Sequence, residues 1–184
     1  MKANINHLLV VDLEATCWDD RPQSVEDMEV IEFGLAIASL KGEVLASHSE
    51  LVKPTVNPIL SSFCSQLTGI DPKDVLMAPS FEESTVLINK WLENYDYQAW
   101  ASWGKYDYNQ IQVEQERHNC APIFFDKPHI NLKALWQKKL GKKRRTGLGS
   151  ALKFLDLEFE GQPHRGEDDA CNIARILPQL EKWI

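Results

Sequence analysis

The chain lacks the long apolar runs of a membrane protein. It also lacks the cysteine pattern of a disulfide-rich protein or a zinc site. No apolar run approaches the roughly 20 residues that a membrane-spanning helix needs. The four cysteines, at positions 17, 64, 120 and 171, are scattered and form no CxxC pair of the kind found in zinc sites. The opening residues, MKANINHLL, contain no signal-peptide core. We therefore expect a cytoplasmic protein with reduced thiols and no association with a membrane.

The chain also has fewer basic residues than acidic ones. The chain has 20 lysines and arginines against 27 aspartates and glutamates, a formal net charge of −7, whereas nucleic-acid-binding proteins usually carry a basic footprint. The distribution of charge matters more than its total, however, and one stretch of eight positions is strongly basic. One interpretation is that these residues contact a phosphate backbone, and the other is that they form a solvated loop between helices. The residues are Lys138, Lys139, Lys142, Lys143, Arg144 and Arg145.

The order of the secondary structure elements predicts one α/β domain over residues 1–184. The chain has no internal repeat, and its length suits a single core. Alternating apolar residues predict strands over 7–13, 29–40, 43–52 and 97–103, the second and third forming an antiparallel hairpin. Helical spacing predicts helices over 80–94, 104–118, 131–140, 148–155 and 166–183, and Ser80 with Glu83 forms a capping box at the start of the first. Helices that follow the central strands indicate a mixed sheet with helices against it.

Four carboxylates occupy positions where an acid is costly or unusual. Asp12 and Glu14 lie where the apolar strand of the stretch HLLVVDLEATCW ends, and they project from the same face, because strand residues i and i+2 do so. Asp169 shares the apolar stripe of the closing helix. Asp107 falls in the first turn of its helix, where it could also be an ordinary acid favoured by the helix dipole. Buried carboxylates repel one another unless a cation compensates them.

A metal centre explains this set of acids. Clusters of oxygen ligands suit magnesium or manganese rather than zinc. Two such ions about 4 Å apart can hold the attacking and leaving oxygens of a phosphodiester displacement. His164, five residues before Asp169, could take the proton from the attacking water, or it could merely cap the closing helix.

The order of these five residues resembles a known nuclease family. Asp12, Glu14, Asp107, His164 and Asp169 match the pattern of the DEDDh branch of the DnaQ-like 3′→5′ exonucleases. The stretches VVDLEATCW, FCSQLTGI, SWGKYD and HRGEDDACNIARI more narrowly resemble its Eri-type exoribonucleases. The sister DEDDy branch has a tyrosine four residues before the last acid, whereas this chain has arginine there. The resemblance implies a ribonuclease H-like fold with a five-stranded mixed sheet flanked by helices. It also implies two magnesium or manganese ions and release of 5′-nucleoside monophosphates from a free 3′ end.

Several further residues are candidates for contact with the substrate. Trp18, Phe63 and Leu67 could sandwich the 3′-terminal base, since aromatic stacking holds single strands of any sequence. Core packing is the alternative for these side chains, most of all for Phe63. The family resemblance at FCSQLTGI adds Thr68 beside Leu67. The remaining candidates are Tyr106 in SWGKYD, the basic residues Lys142, Lys143, Arg144 and Arg145, and backbone atoms near Ala15 and Thr16 that could meet a 2′-hydroxyl.

The sequence therefore predicts a metal-dependent 3′→5′ exonuclease that acts on nucleic acid with a free 3′ end and prefers RNA or short oligonucleotides. One alternative is a DNA exonuclease of the repair or proofreading type, which would use the same chemistry. The other is a nuclease-like fold that serves as a non-catalytic regulatory module. Such a module would be expected to have lost at least one of the five catalytic positions, and all five are present.

Overall fold

A five-stranded mixed sheet forms the centre of the protein. The computed structural model describes residues 5–21, 24–141 and 146–184. The strand order is β3-β2-β1-β4-β5, with β2 antiparallel to β1 and β3, and β4 parallel to β1 and β5. This sheet confirms the predicted one. The strands are β1 (His7–Ala15), β2 (Val30–Ser39), β3 (Val44–Leu51), β4 (Ala99–Ser102) and β5 (His129–Asn131).

Helices cover both faces of the sheet. The predicted capping box of Ser80 and Glu83 is present at the start of the third helix. Within the described ranges, we find no helix that combines the length and the apolar composition needed to cross a membrane. The helices are α1 (Ser62–Thr68), α2 (Pro72–Met77), α3 (Phe81–Leu92), α4 (Tyr106–His118), α5 (Leu132–Leu140), α6 (Leu148–Phe154) and α7 (Gly166–Ala174).

The side chains of β1 point alternately to the two faces of the sheet and pack in two hydrophobic clusters. Leu8 and Val10 pack in a cluster with Trp136 of α5 and Ile173 of α7. The intervening β1 residues, such as Leu9, pack in a second cluster with side chains of α3 and α4. Because Asp12 and Glu14 continue the register of Leu8 and Val10, they belong to the face against which α7 packs.

Three elements of the chain differ from the sequence prediction. The closing helix ends at Ala174 and not near residue 183, and two 3-10 turns, Leu177–Gln179 and Glu181–Trp183, follow it. Pro178 explains this end, because proline has no backbone N–H to donate to the carbonyl of Ala174, four residues earlier, and its ring would clash with that carbonyl in a continued helix. Helix α2 was not predicted, although Asp71 caps it and Pro72 begins it, as is usual at helix starts. Strand β5 has three residues, too few to show an alternating pattern.

Candidate active site

Three of the predicted carboxylates meet at the end of β1. One oxygen of each of Asp12, Glu14 and Asp169 lies within 4.8 Å of the others. Asp12 and Glu14 come from the last residues of β1, and Asp169 comes from the first turn of α7, which packs against β1 and β2. Residues more than 150 positions apart in the sequence are thus brought into one group.

Asp107 lies just outside this group and ties α4 to β1. It is buried, and its Oδ1 accepts a hydrogen bond from the backbone N–H of Leu13, at 3.1 Å. The Ser102 side chain, at the end of β4, is close enough to favour the ionised form of Asp107 and so offsets part of the rise in its pKa that burial causes. Leu13 lies between Asp12 and Glu14 in the strand. This bond therefore holds the Asp107 carboxylate next to the end of β1 that carries these two acids. Repulsion from Asp107 contributes to the raised pKa of Asp12.

Burial and mutual repulsion raise the pKa values of the four carboxylates. Burial, followed by repulsion from Asp107 and Asp169, raises the pKa of Asp12 well above its usual range. Burial, with the Asp169 charge next in importance, raises the pKa of Glu14 to about 9. The pKa values of Asp107 and Asp169 are each raised to about 6, again chiefly by burial. A divalent cation would reverse these shifts, and the all-oxygen donor set fits Mg²⁺ or Mn²⁺.

Glu32 is a further acid next to this cluster, and the sequence pattern did not predict a role for it. It lies opposite Glu14 in the pairing of β1 with β2 and is fully buried. Its carboxylate accepts bonds from Ser49 Oγ at 2.6 Å, from the Arg165 guanidinium at 3.2 and 3.3 Å, and from the Gly166 N–H at 3.0 Å. Glu32 therefore neutralises Arg165 and holds the start of α7 on the sheet. The signal for it was an acid within the otherwise apolar strand VIEFGLAIAS.

His164 lies on the loop that leads into α7. Its backbone N–H donates to Asp169 Oδ2 at 2.7 Å, and its φ of 65° is in the left-handed region. The charge of His164 lowers the pKa of Asp169, which places the imidazole within electrostatic reach of the cluster. The contact with Asp169 is made by the backbone of His164 and not by its ring. The imidazole is exposed and makes no hydrogen bond with the described residues. It can therefore accept a proton.

The predicted base-stacking residues lie around α1. Trp18 and Phe63 are partly buried against the core cluster that contains Cys17 and Cys64, and the guanidinium of Arg21 lies 3.4 Å from the centroid of the Trp18 ring. Leu67 is 36% exposed.

Thr68 is fully buried at the end of α1. Its hydroxyl donates to the Cys64 carbonyl and accepts from the Ile70 N–H. Leu67, rather than Thr68, is thus the side chain in this part of α1 that can face a nucleotide.

The other predicted contacts fall into three groups. Ala15 and Thr16 are buried, and Thr16 exchanges hydrogen bonds with Glu29: its N–H donates to the Glu29 carbonyl at 2.8 Å, and its hydroxyl accepts from the Glu29 N–H at 3.0 Å. Tyr106 is 38% exposed beside Asp107. Four basic residues of the prediction lie outside the described residues: Lys142, Lys143, Arg144 and Arg145.

A comparison with protein families decides the class of this site. The family model described as "Exonuclease" matches residues 9–177, nearly the whole chain. The chain belongs to this exonuclease family. Among curated proteins, it is 28% identical to "3'-5' exonuclease Snipper" of Drosophila melanogaster, covering 95% of this chain and 69% of that protein. It is 32% identical to "ERI1 exoribonuclease 3" of Homo sapiens, covering 95% of this chain and 53% of that protein.

Solved structures agree with this assignment. The nuclease domain of 3'hExo, a DEDDh family member bound to rAMP, superposes with a TM-score of 0.87 at 26% identity, covering 99% of this chain and 94% of that one. The 3′-exonuclease in a structure of histone mRNA stem-loop recognition gives a TM-score of 0.84 at 26% identity, covering 98% and 84%. The predicted DEDDh, Eri-type resemblance and the ribonuclease H-like fold are confirmed. The chain spans between 28% and 69% of the length of the curated relatives it matches.

Proposed function

We propose that this chain is a 3′→5′ exoribonuclease that depends on divalent cations and releases 5′-nucleoside monophosphates from a free 3′ end. The observation that carries the proposal is the meeting of Asp12, Glu14 and Asp169 within 4.8 Å, with Asp107 buried beside them and His164 tethered to Asp169. A purely structural acid cluster would have an ion-pair partner. The nearby guanidinium of Arg165 is instead bonded to Glu32.

The four carboxylates would hold two ions of Mg²⁺ or Mn²⁺. When bound, these cations would neutralise the acids and stabilise the negative charge that develops on the phosphate during displacement. The protein's own part is to fix the four acids on rigid elements, and it does this through the Leu13–Asp107 bond and the packing of α7. Such preorganisation is what electrostatic stabilisation of a transition state requires.

His164 would act as the general base. Its imidazole is exposed on the loop before α7, while its backbone is anchored to Asp169. A neutral imidazole at this position can take the proton from the attacking water, a contribution worth ~10²–10⁴-fold in rate. No other histidine of the described chain hydrogen-bonds to one of the four carboxylates.

Support for RNA as the substrate comes from the relatives. The human relative is named an exoribonuclease, and the two solved structures are described with rAMP and with a histone mRNA stem-loop. We assign the terminal base to the side of the site that holds Trp18 and Leu67. The second candidate, a DNA exonuclease, would use the same acids, so the two differ in contacts to the sugar. The engagement of Thr16 with Glu29 leaves the Thr16 N–H unavailable to a 2′-hydroxyl.

The test is a side-by-side digestion of one sequence as RNA, as DNA and as DNA with a single ribonucleotide at the 3′ end. Each oligomer carries a 5′ label, and products are identified by chromatography. We expect 5′-monophosphates and stepwise shortening, with RNA degraded faster than DNA. The chimeric oligomer separates effects of the terminal sugar from effects of the upstream strand. Equal rates on all three would remove the RNA preference, and faster DNA digestion would favour the second candidate.

A further inference from the structure

A cavity of about 530 Å³ opens between the first turns of α4 and α5. It lies where β4 and β5 end, and none of its lining residues belongs to α1. Tyr106 lines the cavity and immediately precedes Asp107 in the chain. The volume is within the range of ~300–1,000 Å³ that is usual for small-molecule sites. The first turn of α4 thus supplies both a wall of the cavity, through Tyr106, and one of the four carboxylates, through Asp107, and the cavity is large enough for a nucleotide unit.

The lining of the cavity is cationic in an acidic protein. Lys105 is exposed, Lys133 is partly buried, and no carboxylate belongs to the described residues of the lining. Neither ammonium group forms an ion pair or a hydrogen bond with the parts of the chain that the structure describes. In a chain of net charge −7, two such cations at one cavity produce a local field that attracts anions.

The rest of the lining offers donors and an aromatic surface. Asn131 Oδ1 accepts the capping bond from the Ala134 N–H at 2.9 Å, so the amide nitrogen of Asn131 remains as a donor. The indole N–H of Trp103 donates to the Thr146 carbonyl at 3.2 Å, which fixes the ring at the cavity wall. Lysines, amide donors and an aromatic ring are the groups with which proteins hold phosphates, sugars and bases without reading sequence.

We propose that this cavity binds the sugar-phosphate backbone of the substrate on the 5′ side of the bond that is cleaved, with Lys105 and Lys133 on the phosphate and Trp103 beside the sugar or base. The inference rests on the proposed exonuclease function and adds a second subsite to it. The 3′-terminal nucleotide would lie between α1 and the carboxylates, and the strand would leave past Tyr106. Lysines act as point charges, so this subsite would hold any base sequence.

The test compares two substrates that differ only in what lies upstream. One is a single-stranded RNA of ten nucleotides, and the other is the p-nitrophenyl ester of a nucleoside 5′-monophosphate, whose single phosphate is the one hydrolysed. The variant is the pair Lys105→Gln and Lys133→Gln. The matched control is Lys90→Gln, an exposed lysine in the last turn of α3, before β4 begins.

For the paired variant, KM on the decamer should rise at least about tenfold, since the loss of a single charge-assisted hydrogen bond already has that effect, while kcat changes by less than about twofold. The slope of log KM against log salt should fall by about 0.7 for each phosphate that the variant no longer neutralises. Hydrolysis of the ester should be unchanged, and Lys90→Gln should match the wild type on both substrates. Equal losses on both substrates, or no loss on the decamer, would overturn the subsite.

Fluorescence anisotropy with a labelled decamer in EDTA, where hydrolysis does not intervene, provides a readout that does not depend on activity. The paired variant should bind the decamer about tenfold more weakly than the wild type and than Lys90→Gln. If the wild type hydrolyses neither substrate, the proposed function fails, and this anisotropy measurement alone decides whether the cavity binds a nucleic-acid strand. Unchanged binding by the paired variant would then overturn the inference.

Discussion

The backbones of Gly34 in β2 and Gly166 in α7 are in direct contact. A Cβ on Gly34 would overlap the carbonyl group of Gly166, and a Cβ on Gly166 would fall 2.9 Å from the Gly34 nitrogen and 3.0 Å from the Asp12 carbonyl oxygen. Gly34 is paired with Asp12 across the sheet, and Gly166 lies three residues before Asp169. These two glycines therefore set the distance between α7, which carries Asp169, and the sheet, whose strand β1 carries Asp12 and Glu14.

Replacing Gly34 with alanine should push α7 away from the sheet. Because the added methyl group meets backbone and not a movable side chain, we expect a loss of about 1–3 kcal/mol in the free energy of unfolding. Turnover per folded molecule should fall as well, since Asp169 moves away from Asp12. Urea unfolding and activity below the transition measure the two effects separately.

The matched control is Gly149→Ala, where a Cβ meets nothing within 4 Å. Alanine in this helix should be neutral or stabilising by up to about 1 kcal/mol. If Gly34→Ala were as harmless as Gly149→Ala, the close packing of α7 on β2 would not be what positions Asp169.

The pairing of Glu32 with Arg165 predicts an asymmetry between two substitutions. Arg165→Gln leaves the fully buried Glu32 carboxylate without its cation, so the free energy of unfolding should fall by about 1–3 kcal/mol. Glu32→Gln should cost less, because the better-exposed guanidinium can reach water, the glutamine oxygen can still accept from the Gly166 N–H, and a charge that repels Asp12 and Glu14 is removed. Urea unfolding of both single variants gives the order, and a larger cost for Glu32→Gln would contradict the assigned role of the pair.

The raised pKa values predict how the metal-free protein responds to pH. The pKa of Glu14 is raised to about 9 in the folded state, against about 4 in an unfolded chain, so the folded state binds the proton more tightly. Stability is therefore lost as pH rises toward 9. Burial lowers the pKa of His129 to about 4, so its contribution changes only below about pH 6.5.

Between pH 6.5 and 9, the Tm in EDTA should thus decrease, and saturating Mg²⁺ or Mn²⁺ should reduce or abolish the decrease because it binds the ionised acids. Asp12→Asn should flatten the EDTA curve and shrink the stabilisation by metal. A Tm in EDTA that rises across this range would contradict the account of the cluster.

His164 can be tested without disturbing the helix that it precedes. Because its contact with Asp169 is made by the backbone N–H, substitution should leave the helix end intact. Asparagine tolerates the left-handed φ of this position better than alanine does, so His164→Asn is the cleaner variant beside His164→Ala.

Both variants should lose ~10²–10⁴-fold in kcat while stabilisation by metal persists. In the wild type, activity should fall as the pH is lowered, since a protonated ring cannot accept a proton. If the variants keep near-normal kcat, the His164 side chain is not the general base, and its backbone contact with Asp169 is its only role at the start of α7.

The sequence predicted the parts of this structure that depend on local pattern. The apolar run before Asp12 identified β1, the Ser80–Glu83 box identified the start of α3, and the spacing of Asp169 against Ile173 placed it on an inward stripe. These features follow from the periodicity of strands and helices and from helix capping.

The remainder depends on contacts between distant parts of the chain. The role of Gly34 appears only when α7 lies across β2, and that of Glu32 only when Arg165 returns to it from more than 130 residues away. The hydrogen bonds between Thr16 and Glu29 likewise join residues that no local sequence pattern connects. The lysines of the cavity come together because two helices begin at one sheet edge.

The most direct test of the central claim, a catalytic metal centre built on Asp12, is turnover of a 5′-labelled RNA with a free 3′-hydroxyl. Wild type and Asp12→Asn are compared in Mg²⁺, in Mn²⁺ and in EDTA, with circular dichroism to confirm that the variant is folded. We expect shortening from the 3′ end only in the wild type and only with metal, with a loss of at least about 10³-fold in Asp12→Asn. A folded Asp12→Asn protein with near-normal turnover, or a wild type equally active in EDTA, would contradict it.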